Sequence, residues 1–356
     1  SGAEGCAVLG LARFAPAEIE AQLRAVLIGE NPLYRERLWL KMRAAQTPWR
    51  LLSAADIALW DLAGKVAGLP AWQMAGGCRD RVKVYITPHP DFGTLEDYAA
   101  HALACKRRGY HGYKVHGYLG YDPIEKENIR PFSKAFPEQD VEICRAIRAA
   151  VGDDFALMLD PAFVYNLDQA TWVGRELENL GFEWLESPMP EKPDWIEAYA
   201  TLCERLEIPV CAPENIEGAH YVRAQWLARR ACDICRIDPH FGGLTACLKA
   251  AALCQANGVR LEIHSTASNQ YNLQVLGATS EETCVYLEDY DLDPESGVAF
   301  VGANYMIRDG DGGTWRYPYL KGAPPIIDDQ GYAHVPHQPG MGMEPDWEYI
   351  MERKKS

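Results

Sequence analysis

The sequence predicts an α/β fold: a parallel (β/α)8 barrel entered through a helical region and left through an irregular tail. Three observations carry this prediction. Short β-rich runs alternate with amphipathic stretches from residue 82 to 287, the alternation that builds a parallel sheet with helical crossovers. A carboxylate or histidine recurs at the end of each later run. The first run is followed by no G-x-G-x-x-G turn, which a doubly wound open sheet would be expected to carry.

In chain order, residues 12–76 read as helical. Pro16 suits the start of a helix over 17–28. The apolar spacing is stronger over 53–67, where Ile57, Leu59, Trp60, Leu62 and Ala63 share one broad face. Ser53 and Asp56 are spaced like an N-cap and its reciprocal acid, and Gly68 and Pro70 end that helix. Trp49, Trp60 and Trp72 read as the core of this region. Strands are expected at 82–87, 111–116, 155–160, 182–186, 207–212, 233–238, 259–264 and 283–287. Helices are expected between them, at 95–108, 138–151, 169–180, 195–206 and 244–256. The polar insertion 117–137 follows the second strand, where long loops serve a substrate site or an oligomer contact. The tail is rich in Gly, Pro and aromatic residues. The expected organisation is an N-terminal region over 1–80, a barrel over 81–305, and a segment over 306–356 that packs back on the N-terminal region.

Composition narrows the partners. The formal charge of −15 over 356 residues argues against nucleic acid or an anionic membrane, which need a basic face. No apolar run reaches the roughly 18 residues of a membrane span. Ser1-Gly2-Ala3-Glu4-Gly5 reads as neither a signal nor a transit peptide, and without Met the chain is expected to begin inside the natural protein. The 11 cysteines, an odd count, read as reduced thiols of a cytoplasmic protein. Cys232 and Cys235 have C-x2-C spacing without a second pair, so they read as small core residues.

The informative pattern is where acids and bases fall. Asp160 ends the third strand, Glu186 the fourth, and Glu214 follows the fifth. Asp238 ends the sixth, His264 the seventh, and Glu288 follows the eighth. The intervals are 26, 28, 24, 26 and 24 residues, one βα unit each. One acid after one strand is commonly a helix cap. Six in register converge at the barrel mouth, because all strands point their carboxyl ends there. Three successive carboxylates repel unless a cation neutralises them. All-oxygen ligands suit Mg2+ rather than zinc, so Asp160, Glu186 and Glu214 are the expected metal ligands. Lys114 and His116 face the same way on the second strand. Asp238 is placed to bond one nitrogen of His264 and fix its tautomer. Bases on two sides of a bound substrate suit proton removal from one face and delivery to the other. His240 is expected to cap the helix beginning near Leu244, and His89 is a further candidate for the pocket wall.

These residues lie in segments that resemble the enolase superfamily, in its mandelate racemase subgroup of the mandelate racemase/muconate lactonizing enzyme family. The match runs through Ser53 to Lys65 (SAADIALWDLAGK), Gly76-Gly77, Tyr113-Lys-Val-His116 and Leu159-Asp160. It continues with Trp184-Leu-Glu-Ser-Pro188, Ala212-Pro-Glu-Asn215, Arg236-Ile-Asp-Pro239 with Gly242-Gly243, Glu262-Ile-His264 and Leu287-Glu288. The resemblance implies a modified (β/α)7β barrel under an α+β capping domain whose first strands are absent from this chain, which would start at the third. It implies one essential Mg2+ and removal of the proton α to a carboxylate, giving a metal-stabilised enediolate. Lys114 would touch the substrate carboxylate, and His116 would be one acid/base catalyst. His264 with Asp238 would be the other, and Glu288 would hydrogen-bond the enolate oxygen. The chain departs from the family at His116, where Lys is usual, at Ala162, where many members have Asn, and at Ser187, where a second acid is frequent. Dehydration of a sugar acid to a 2-keto-3-deoxy acid is the expected reaction. Racemisation or epimerisation, cycloisomerisation, and a non-catalytic binding role are the alternatives. The expected partners are a small carboxylate substrate and further copies of the chain in a homo-oligomer.

Overall fold

Eight parallel strands form a nearly closed barrel in a computed structural model that describes residues 2–8, 14–88, 90–264, 269–290, 307–308, 315–316, 319–321 and 327–352. The barrel strands are β1 (Arg81–Thr87), β2 (Gly112–Val115), β3 (Ala156–Leu159) and β4 (Trp184–Glu186). They continue as β5 (Val210–Ala212), β6 (Ile234–Ile237), β7 (Arg260–Ile263) and β8 (Tyr286–Tyr290). From β1 to β7 each strand pairs with its sequence neighbour and β8 pairs with β1, while no ladder joins β7 to β8 among the described residues. The Leu261 amide, donating to the Thr283 carbonyl at 2.7 Å, draws β7 towards the start of β8. Seven strand–helix units and a closing strand make the modified (β/α)7β barrel.

The crossover helices are α5 (Leu95–Arg107), α6 (Pro137–Val151), α7 (Leu167–Asn179), α8 (Ile196–Arg205), α9 (Ala219–Ala228), α10 (Gly243–Asn257) and α11 (Asn269–Ala278). Thr94 with Asp97 and Asn166 with Gln169 form capping boxes that start α5 and α7. Helices cover the outside of the sheet, so β2 and β6 are buried at every position, as parallel strands require. Inside the barrel a separate cluster of Tyr85, Met158, Trp184, Cys211, Ile234 and Tyr286 forms the floor. The last strand differs from expectation. It runs over Tyr286–Tyr290 rather than 283–287, because pairing with β1 continues through Glu288, Asp289 and Tyr290 despite their polarity.

Ahead of the barrel lie α1 (Pro16–Leu27), α2 (Arg35–Ala44), α3 (Trp49–Ala67) and the single turn α4 (Ala71–Met74). Residues 2–8 form no strand. Their backbone groups go to side chains instead: the Cys6 amide to Asp61 at 2.9 Å, and the Val8 amide and carbonyl to the Tyr271 hydroxyl at 2.7 and 3.0 Å. Residues 327–352 return to the same neighbourhood. Strand β9 (Tyr332–His334) joins β1 antiparallel, and the Met341 amide donates to Asp61. Among the described residues no helix is long and apolar enough to cross a membrane.

Ser53 and Asp56 do not start a helix. The spacing continues back through Leu52 and Leu51 to Trp49, behind an extended Pro48, so both polar residues sit inside α3 and are buried. They reach α10 instead. Asp56 accepts from the Thr245 amide at 3.0 Å and hydroxyl at 2.6 Å, so it caps the first turn of a helix 189 residues away. Burial pushes its carboxyl up to about 7, against the pull of those hydrogen bonds. A side chain at Gly243, where φ is +72°, would collide with this carboxylate. Trp60 and Trp72 likewise face outward from their own helices: Trp60 Nε1 donates to Thr245 Oγ1 and Trp72 Nε1 to the Pro336 carbonyl. The aromatic stripe is therefore a seam rather than a separate core.

Replacing Asp56 by Ala leaves the Thr245 amide and hydroxyl buried without their acceptor. The expected loss is about 2–3 kcal/mol of unfolding free energy, read as a lower denaturant midpoint at unchanged m value.

Candidate active site

At the carboxyl ends of the strands, the predicted residues come together. Asp160, Glu186 and Glu214 offer oxygens that all lie within 4.8 Å of one another, and all three side chains are buried. Asp238 follows β6, His264 follows β7, and Glu288 points inward from the middle of β8. Lys114 is on β2 and His116 just beyond it. Backbone turns hold the acids. The Ala162 amide donates to Asp160 Oδ1 at 2.8 Å, with Ala162 at φ +50°. Ser187, at φ +41°, turns its hydroxyl to Glu191 at 2.8 Å. Glu191 in turn accepts from the Glu214 and Asn215 amides, both at 2.7 Å, so one carboxylate ties the β4 loop to the β5 loop.

Two buried cations neutralise part of this charge. Lys114 Nζ donates to Glu186 at 2.5 Å, pairs with Glu288 at 2.6 Å and lies 3.6 Å from Asp160. Arg236 Nη2 bonds Glu288 at 2.6 Å and lies 3.1 Å from Glu186, while its Nε is 3.4 Å from Glu214 Oε2. The two cations hold Glu186 down at about 2 and Glu288 well below the carboxylate range, in spite of burial. Asp160 shows the opposite balance: burial and the neighbouring Glu186 charge push it well up. Glu214 Oε2 is buried with no hydrogen-bond partner. An all-oxygen trio with an orphaned oxygen and excess negative charge fits a hard divalent cation.

His264 Nδ1 donates to Asp238 Oδ2 at 2.8 Å, and its Nε2 lies 3.0 Å from Glu214 Oε1. Burial opposes the imidazolium, but the Glu214 and Asp238 carboxylates outweigh it and raise the pKa. His116 donates Nδ1–H to the Asp160 carbonyl at 2.9 Å, leaving Nε2 on the side of Asp160 Oδ2, 3.7 Å away. Burial and the Lys114 charge push it down to about 4. The two histidines thus sit in opposite electrostatic settings. His240 does not cap α10. Its ring Nδ1 and its amide both donate to Asp238 Oδ1, at 2.8 and 2.6 Å, while Gly242 takes the cap position. His89 lies outside the described residues. In the 117–137 insertion, Asp91 accepts from the Leu119, Gly120 and Tyr121 amides and pins the base of the loop. Cys232 and Cys235 are buried free thiols.

Arg236, Glu262 and Glu191 were not expected at the site. The first two carried a signal. Arg236 is two before Asp238 and Glu262 two before His264, so the strand period puts all four on the inner face. Glu191 lies in a loop with no period to read. Glu262, opposite Arg236 in the ladder, has neither carboxyl oxygen hydrogen-bonded, and burial pushes it up to about 8. The native state therefore keeps a proton that the unfolded chain releases near its ordinary value of 4.5. Stability falls as pH rises between those values, by at most about 5 kcal/mol. Glu262→Gln, neutral throughout, should abolish that decline when denaturant midpoints are compared at about pH 5 and about pH 8.5.

Residues 97–349 match the family model for an enolase C-terminal domain-like unit, and residues 1–76 match the mandelate racemase/muconate lactonizing enzyme N-terminal domain. Arabinonate dehydratase of Saccharolobus solfataricus is 30% identical over 325 residues, covering 82% of this chain and 81% of that protein. D-galactarolactone cycloisomerase of Agrobacterium fabrum is 27% identical, covering 89% and 79%. Among solved structures, D-glucarate dehydratase from Agrobacterium tumefaciens complexed with magnesium superposes with a TM-score of 0.82 at 34% identity, covering 99% of this chain and 87% of that one. Matched along both its helical region and its barrel, the chain belongs to the mandelate racemase/muconate lactonizing enzyme family of the enolase superfamily.

Proposed function

We propose that the chain is a Mg2+-dependent acid-sugar dehydratase. The observation that carries this reading is the buried trio Asp160, Glu186 and Glu214 beside a histidine whose tautomer Asp238 fixes. Relatives named as arabinonate, D-galactonate and D-gluconate dehydratases support the substrate class. Mg2+ held by the trio would supply the positive charge that stabilises an ionising carboxylate substrate.

The protein's own groups do the rest. His116 Nε2 is free of its ring's other bond to the Asp160 carbonyl and is the candidate to take the α-proton. His264 Nε2, three strands away round the barrel, is the candidate to give a proton to the β-hydroxyl, which leaves as water. The enol so formed rearranges to the 2-keto acid. Lys114 and Arg236 keep Glu186 and Glu288 ionised at the base of the mouth, and Lys114 adds positive potential under the substrate carboxylate. A cycloisomerase reading has its support in the Agrobacterium fabrum relative; there an intramolecular oxygen would leave in place of water.

The deciding assay screens acid sugars with Mg2+ for 2-keto acid formation, with α-proton exchange followed in D2O. Exchange and keto acid are expected together on at least one aldonic or aldaric acid. A cyclic isomer as product would favour the cycloisomerase, and no exchange with any acid would reject both. His264→Asn should lower turnover by about 10² to 10⁴, the usual worth of one placed acid or base. Mg2+ should raise the melting temperature of the wild type and of His264→Asn alike, and fail to raise that of Glu214→Gln, since ligand binding stabilises only a chain that can bind it.

A further inference from the structure

We propose that His240 is a positioning residue for the His264–Asp238 pair: it locks the Asp238 carboxylate so that one oxygen faces His264, and helix α3 holds it in place through Ser53. The inference rests on the reading of His264 as a proton-transfer group, and deepens it.

The geometry is specific. A carboxylate turns easily about its last side-chain bond, because that torsion is broad. Asp238 is denied that freedom by His240, which donates to Oδ1 twice, from its amide at 2.6 Å and its ring Nδ1 at 2.8 Å. Oδ2 is thereby directed at His264 Nδ1, 2.8 Å away. With the carboxylate ionised, it can only accept, so one His264 proton is held on Nδ1 and Nε2, 3.0 Å from Glu214 Oε1, is left as the nitrogen that exchanges a proton at the mouth. His240 is itself 2% exposed and fixed from outside the barrel. Ser53 Oγ donates to its carbonyl at 2.6 Å and accepts the Gly242 amide at 2.7 Å. Trp39 Nε1 donates to the Gly242 carbonyl at 2.8 Å. The loop between β6 and α10 therefore has its far side hydrogen-bonded to α2 and α3, and its near side to the proton-transfer pair.

A side chain that merely fills space and one that donates from Nδ1 make opposite predictions for two substitutions. Asparagine places an amide NH2 near the imidazole Nδ1 position. Glutamine fills more of the volume but carries its amide out near Nε2. We expect His240→Gln and His240→Ala to lose turnover by about tenfold or more, the kinetic equivalent of one charge-assisted hydrogen bond. KM should change little, and His240→Asn should recover most of the loss. In 15N-histidine spectra, with the His264 signals assigned from His264→Asn, the wild type and His240→Asn should show one tautomer protonated on Nδ1. His240→Gln and His240→Ala should show a mixture. Ser53→Ala should shift both readouts in the same direction by a smaller amount.

Glutamine outperforming asparagine would overturn the inference, as would an unchanged His264 tautomer in His240→Ala. Should the alanine and glutamine variants fail to fold, as judged by thermal melting, His240→Asn and Ser53→Ala still decide. The inference falls if folded His240→Asn shows mixed tautomers, or if Ser53→Ala leaves kinetics and spectra at wild-type values. Absence of activity in the wild type would count against the proposed reaction, and the spectra would still decide the role of His240.

Discussion

Five buried carboxylates and two buried cations share one space, and charge balance in that space governs the rest of the structure. Like charges a few ångströms apart cannot all persist in a medium of low dielectric. Lys114 and Arg236 settle the account for Glu186 and Glu288, which they hold ionised. They do not suffice for Asp160 and Glu214, whose carboxyls burial pushes upward. The deficit is local and directed at the trio, which is why the site reads as a cation cradle rather than as a stack of ion pairs. Below the charged groups the barrel floor is largely aromatic, with the rings of Tyr85, Trp184 and Tyr286 packed on one another.

The same balance separates the two histidines. His264 lies between two carboxylates, Asp238 and Glu214, whereas His116 is buried and feels the Lys114 charge. One imidazole is biased to hold its second proton and the other to refuse it. Such divergence between neighbouring titratable groups is a general way for one site to present an acid and a base together. It arises from the two carboxylates that flank the His264 ring, against the burial and the Lys114 charge that act on His116.

Much of this was legible because a barrel converts sequence intervals into a ring. Asp160, Glu186, Glu214, Asp238 and His264 each sit one βα unit apart, and the fold brings these similar intervals to one end. Where reading failed, the missing information was a partner far along the chain. Ser53 and Asp56 match a local capping pattern, yet their oxygens go to His240, Gly242 and Thr245. His240 matches a helix start, yet its ring turns back on Asp238. Arg236 and Glu262 share the inner-facing period of Asp238 and His264 but lie inside their strands, away from the strand ends that mark the pattern. The shift of β8 by three residues has the same origin: pairing with β1 outweighs the polarity of Asp289.

The cap that Asp56 places on α10 also has a meaning in time. A ribosome delivers the chain from its amino end, so α3 emerges with Ser53, Asp56 and Trp60 long before their partners. The Thr245 groups follow 189 residues later, which at typical elongation rates is roughly 10–40 s. Throughout that interval the Ser53, Asp56 and Trp60 side chains of α3 lack the partners they bond around the start of α10. The amino-terminal helices are thus synthesised first and completed late.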